Sequence, residues 1–209
     1  MGVSNDVAPW IVAALSIALL VGAPATVQAA SLTIVTVSAP AVNCVFDATC
    51  KVTVTDSGGV IPLGIDSGTA NLQSRPFPGG AGTPSAGKTI YLYRVDLRQA
   101  VGFVDCLVGM VINFGPVAKL PYNGGAPSDV FVITGGGLGT IGLKSAEQDG
   151  DVITFAFSKY VCVGAAPGTG ASTFFFGLAA ANAAKPTTAT LFGFGSPGFV
   201  QTPARVPIH

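Results

Sequence analysis

Glu147, Asp149 and Asp151 stand two residues apart around Gly150, so three hard carboxylate donors lie close together along the chain. Calcium prefers such oxygens, which makes the trio a candidate calcium site. A carboxylate pair facing across a cleft would instead suit glycoside hydrolysis, with Asp96 and Asp105 as further members of the set. A plainer reading competes with both. Asp149-Gly150 is a strong turn signal, and the charges around it read as a solvated hairpin turn. Residues 122–129 (YNGGAPSD) form a second polar loop, in which Asn123 and Asp129 are candidate ligands.

Residues 137–142 (GLGTIG) spell G-x-G-x-x-G behind a strand-like run at 130–134. A dinucleotide-binding turn needs a helix after the glycines to receive the pyrophosphate, and an acidic residue about twenty positions on for the ribose. Only residues 143–148 separate Gly142 from the Asp149-Gly150 turn, Phe157 stands where the acid is needed, and no Asp or Glu follows Asp151. Gly137, Gly139 and Gly142 therefore read as backbone geometry. Residues 135–137 supply a turn and 140–146 run on as a strand, and no cofactor is expected. Nucleophilic catalysis lacks its base, because the one histidine is the final residue, His209, and no G-x-S-x-G occurs.

Cys44, Cys50, Cys106 and Cys162 form an even set without any C-x-x-C, which reads as two disulfides rather than zinc. Three connectivities exist. Pairing Cys44 with Cys50 and Cys106 with Cys162 is favoured, because the intervening VFDAT is a short turn that brings the close pair within reach. Tyr91 and Tyr93 share one face of a strand and could stack on a glycan, although such rings are more often core. Residues 174–176 (FFF) put rings on both faces of a strand, one toward the core and the other toward a second sheet or a partner.

The elements that must position these residues are strands. Residues 32–38, 51–55, 89–97, 108–114, 129–134, 151–158, 172–178 and 187–192 alternate or are rich in β-branched and aromatic types. On residues 89–97, Tyr91, Tyr93, Val95 and Leu97 face one way while Arg94 and Asp96 face the other. Residues 178–184 (LAAANAA) are the one helix candidate after the leader. Residues 75–87 and 164–170, rich in Pro and Gly, read as surface loops. The pattern predicts an all-β fold, a two-sheet antiparallel β-sandwich, with the jelly roll as one form it can take. The domain spans 30–192, and 193–209 read as a Gly/Pro-rich, loosely ordered tail with room for one edge strand.

Residues 11–21 (IVAALSIALLV) have the length of a signal-peptide apolar region and are too short to span a bilayer. Val27-Gln28-Ala29 places small side chains where a signal peptidase reads, so 1–29 are expected to be a cleaved leader. Its lack of Lys or Arg, and Asp6, leave a retained anchor as the alternative. Removing Asp6 from ten basic and ten acidic residues leaves a net charge of +1, too little for nucleic acid or anionic lipid. Charged residues make up 10% of the chain, against ~25% in ordinary globular proteins, and 28 glycines suit a secreted β protein.

The stretches YRVDLRQAVG, DVFVITGGGLGTIGLKSAEQ and STFFFGLA, within about residues 88–181, resemble a loose set of secreted bacterial β-rich proteins of unknown function. That resemblance implies neither an activity nor a ligand. The expectation is an exported extracellular or cell-surface structural or binding protein without catalytic activity, without a mature transmembrane segment, and with a surface partner or glycan as ligand. The alternative is a secreted carbohydrate-active protein, either a binding module or a glycoside hydrolase. A cleft lined by tyrosines and paired carboxylates would favour the alternative; a flat apolar face or an open edge strand would favour the first.

Overall fold

Extended runs of β-branched and aromatic residues, punctuated by Gly and Pro, dictate strands throughout this chain. In chain order they are β1 (Ala30–Ser31), β2 (Ile34–Ser38), the short helix α1 (Asn43–Phe46), β3 (Gly59–Val60), β4 (Asn71–Pro78), β5 (Thr89–Asp96) and β6 (Cys106–Asn113). There follow β7 (Val130–Gly135), β8 (Leu143–Asp149), β9 (Val152–Cys162), β10 (Phe175–Ala180), β11 (Ala184–Phe194) and β12 (Phe199–Pro207). The structure, a computed structural model, describes residues 1–2, 29–103, 105–194 and 198–209. The apolar run of the expected leader lies outside them. Among the described residues no helix is long and apolar enough to cross a membrane.

Two six-stranded sheets pack as a sandwich. The first has the order β1-β8-β9-β6-β11-β12 and the second β2-β7-β10-β5-β4-β3. Pairing is antiparallel except that β2 runs parallel to β7. Between the sheets lies the main core, with Tyr91, Tyr93 and Val95 of β5 meeting Met110, Phe155, Phe176 and Leu191. A second core covers the outer face of the second sheet. There Phe46 of α1, Val42 and Tyr122 pack on Ile90, Phe131 and Phe175. The second sheet is thus buried on both faces, and β10 has no exposed residue.

Four expectations change. Residues 51–55 form no strand: Val52 and Val54 alternate inward onto the second core, but no neighbouring strand pairs with them. Residues 178–184 are not helical, because Leu178 pairs with Tyr91 on one side and Val130 on the other, and small alanines fit a strand wedged there. The loop expected from residue 75 begins later, since Arg75 to Pro78 finish β4. Beyond Asn71 and Leu72 no strand pairs with it on its β3 side, where Ser57 N alone reaches Ser74 O (2.8 Å), so Pro76 and Pro78 lie at an edge.

The fourth is the C-terminal segment, where the edge strand for which the sequence left room takes up Phe199–Pro207, most of the expected loosely ordered tail. β11 continues to Phe194, and β12 delivers Val200, Ala204 and Val206 to the main core. Pro186, Pro203 and Pro207 all fall in the same alternate class of β11–β12 pairs. The other class carries the hydrogen bonds, as Gly193 N to Gly198 O (3.1 Å) and Ile208 N to Ala183 O (2.9 Å) show at the two ends. Each proline nitrogen therefore points away from its partner strand, where no N–H is needed.

Both disulfides form as the sequence suggests. Cys44–Cys50 ties α1 to the turn after it, with Cα atoms 4.1 Å apart. Cys106–Cys162 joins directly opposed residues of β6 and β9, 4.0 Å apart. Replacing Cys106 and Cys162 together by Ala should cost about 4 kcal/mol, and replacing Cys44 and Cys50 about 2, from the lengths of chain each bridge closes. Urea unfolding of the two variants checks this; the reverse order would contradict the loop-length account.

Candidate functional site

The carboxylate trio does not converge. Glu147 and Asp149 are exposed on the outward side of β8, and Asp151 sits in the turn to β9, with Gly150 in the left-handed region at φ 56°. Alternate residues of a strand lie roughly 7 Å apart, too far to share one ion unless the chain folds back. Among the described residues no group of three or more His, Cys, Asp or Glu side chains is placed to hold a metal. Asp129 is buried instead, accepting from Thr33 N at 2.9 Å, with Lys119 Nζ 3.4 Å away. Asn123 turns its oxygen onto Gly125 N within its own loop (3.0 Å). Asp105 is buried just before β6.

Tyr91 and Tyr93 form no platform, because both rings lie between the sheets. Their hydroxyls donate to Asn182 O (2.9 Å) and Arg205 O (2.6 Å), and burial pushes the Tyr91 phenol up to about 12. Phe175 and Phe176 point to opposite cores, so both faces of their strand are covered. In the glycine motif, Gly139 has φ 102°, and a Cβ there would overlap the Thr173 carbonyl oxygen. Within the motif Ile141 bridges to Thr173, and β8 follows Gly142 directly, so no helix offers its N-terminus to a phosphate.

Three arginines and two aspartates on β4, β5 and their flanks make a polar network that the alternation pattern left unassigned. Arg94, 1% exposed, donates to Gln73 Oε1 (2.8 Å) and lies 3.0 Å from Asp96 Oδ2. Arg98 holds the same carboxylate through two nitrogens (2.8 and 2.7 Å), and Arg75 grips Asp56 through two. Both Arg75 and Arg94 lie over the Phe175 ring, at 4.4 and 5.5 Å. Burial raises the Asp96 carboxyl, but the Arg98 hydrogen bonds and the charges of Arg94 and Arg98 outweigh it and hold it low. The Arg75 hydrogen bond holds Asp56 low as well. Beside this network is a cleft of about 330 Å³ lined by Asp56, Asn71, Gln73 and Asp96.

A second feature lies on the other sheet. Phe103 (89%), Tyr160 (60%), Phe194 (57%) and Phe199 (72%) are the exposed aromatic rings among the described residues. Tyr160, Phe194 and Phe199 belong to one end of the first sheet, and Phe103 lies in the segment that leads into it. Phe194 is opposite Cys106, Cys106 is opposite Cys162, Tyr160 precedes Cys162 by two residues, and Phe103 precedes Cys106 by three. The Tyr160 and Phe194 rings meet edge-on at 5.2 Å. Phe199 stands opposite Phe192, whose ring occupies the space a side chain on Gly109 would take. An apolar patch gathered around one disulfide, where the other described rings are at least partly buried, is a candidate binding face. Spacing along the sequence hides it, since its members come from four separate segments.

Comparison with family models, with curated proteins and with solved structures gives no match. The chemistry must therefore be read from the site alone. Neither the network nor the patch contains a nucleophile with a base beside it.

The glycine motif and the network each yield a measurable outcome. Gly139→Ala should destabilise by well over 1 kcal/mol, because the added Cβ meets both a positive φ and a carbonyl. Gly142→Ala should be nearly neutral, since its Cβ would find only ordinary contacts at 3.9 Å. Thermal unfolding of the two distinguishes them, and equal effects would refute the reading. Asp96→Asn should cost about 3 kcal/mol at neutral pH by leaving Arg94 buried without its counter-charge. A carboxyl lowered in the folded state stabilises above its unfolded value and loses that contribution as pH falls through its folded one. The gap between wild type and variant should therefore close below about pH 4 in a pH-resolved denaturation series.

Proposed function

We propose that this protein is a non-catalytic binding protein of the extracellular space or cell surface, engaging an apolar protein surface through the aromatic end of its first sheet. The carrying observation is the cluster of exposed Phe103, Tyr160, Phe194 and Phe199. Three of the four rings are phenylalanine, which has no polar handle for a sugar hydroxyl and favours a partner that is itself apolar. The two disulfides fit a non-cytoplasmic location. The electrostatics also favour binding over hydrolysis. A glycosidase needs one carboxyl held protonated, whereas both carboxylates lining the polar cleft, Asp56 and Asp96, are displaced downward.

The cleft lined by Asp56, Asn71, Gln73 and Asp96 supports a second reading, a glycan-binding module that takes a small polar ligand. Its carboxylates and amides are suited to sugar hydroxyls, and it lies on the opposite sheet from the rings.

Changing Phe103, Tyr160, Phe194 and Phe199 together to Ser should leave the unfolding midpoint nearly unchanged, because exposed rings contribute little to folding. Binding to extracellular protein fractions, compared by quantitative mass spectrometry, should fall at least thirtyfold for a partner that uses these rings. Undiminished binding by the variant would refute the aromatic site. A glycan-array signal lost with Asn71→Ala and kept by the ring variant would favour the second reading.

A further inference from the structure

A sheet edge is a row of unpaired N–H and C=O groups, and folded proteins blunt it by shortness, proline, charge or cover. Three of the four edge strands here are blunted. β1 and β3 are two residues each. β12 turns the nitrogens of Pro203 and Pro207 to its open side, and the Pro203 ring lies against Gly59 of β3. β2 has no such protection, for its five residues are IVTVS, with neither proline nor charge.

The register shows which groups on β2 are free. Val130 N donates to Thr33 O at 3.0 Å, so residues 33, 35 and 37 bond toward β7, while the N–H and C=O of Ile34 and Thr36 point outward. Among the described residues, no backbone group outside the ladder bonds to either residue. Beside this edge runs a groove of about 650 Å³, with Thr36, Ser38, Ala41, Pro84 and Asn123 on its exposed rim and Val37, Val42 and Tyr122 buried in its floor.

We propose that β2 is an acceptor strand, and that an extended peptide segment of another protein pairs with Ile34 and Thr36 while its alternate apolar side chains enter the groove. The occupant follows from the chemistry. Donors and acceptors recurring at every second residue are matched by another extended backbone. At about 650 Å³ the groove has room for the alternate side chains of a segment as long as β2. The flanking loops at Pro84 and Pro121 make the site a slot, which suits a single strand better than the flank of a second sandwich. This surface is separate from the aromatic end, so the two proposals fail independently.

The test uses the full chain and a phage-displayed library of random seven-residue peptides. Selected peptides should alternate apolar and polar residues and slow amide hydrogen exchange at Thr36 at least tenfold. Thr36→Pro removes an N–H that has no partner among the described residues and should abolish peptide binding while leaving the unfolding midpoint within a few degrees. Should that variant fail to fold, N-methylation of alternate peptide amides provides the same test on the wild-type chain, and only one of the two alternating sets should abolish binding. The variant lacking the four exposed rings should bind the peptides normally. Failure to select peptides that protect Thr36 would overturn the proposal. So would a dimer in sedimentation that Thr36→Pro dissociates, which would assign the edge to a second copy.

Discussion

Strands β5 and β10 pack side chains on both faces, and a strand in that position has no solvent side on which to place a polar residue. Antiparallel sheets usually keep one face wet. Here α1 and the loops around it cover what would be the wet face, with Phe46 stacked among Phe77, Tyr122 and Phe131. The Cys44–Cys50 bridge closes the chain around this cover, so a disulfide of modest entropic value holds down the lid of the second core. Arg94, on the same face of β5 as Ile90 and Leu92, is buried there too. Its charge is tolerable because Asp96, Gln73 and the face of Phe175 surround it, and the network on β4 and β5 extends from that need.

The first sheet is built the other way. Its inner face makes the main core and no described element covers its outer face, which is where exposed rings collect. Gly109 marks the difference in detail: lacking a side chain, it lets Phe192 lie flat across the outer face beside Phe199. The Cys106–Cys162 bridge pins β6 to β9 at the same end, so the patch rests on cross-linked strands. A rigid apolar platform loses little conformational entropy when a partner covers it.

Prolines tell where the sheets end. Pro76, Pro78, Pro186, Pro203 and Pro207 all lie in strands, yet each occupies a position whose N–H side lacks a partner. The same residues that suggest loops when read singly are edge protection once the register is known. β2 lacks them, and its parallel pairing with β7 leaves the one long unblunted edge among the described strands.

The all-β class, most of the strands and both disulfides were legible in the sequence, because each depends on local patterns. Alternation marked β5, β7 and β9, and the short span between Cys44 and Cys50 favoured their pairing among three connectivities. Reading also separated the two faces of β5, with Tyr91 and Tyr93 on one side and Arg94 on the other. What covers each face was not legible. Alternation distinguishes sides but carries no information about the element packed against them, and that element comes from distant segments such as α1 or β12. So Tyr91 and Tyr93, which could have been a platform, are core, while the exposed rings of Phe103, Tyr160, Phe194 and Phe199 came from four segments that only strand order brings to one end. Glu147, Asp149 and Asp151 show the converse: proximity along an extended chain is not proximity in space, and the pleat spreads them along an exposed hairpin. Residue chemistry is local and can be read from the sequence; burial and juxtaposition are set by long-range packing, and the tertiary structure alone decided them.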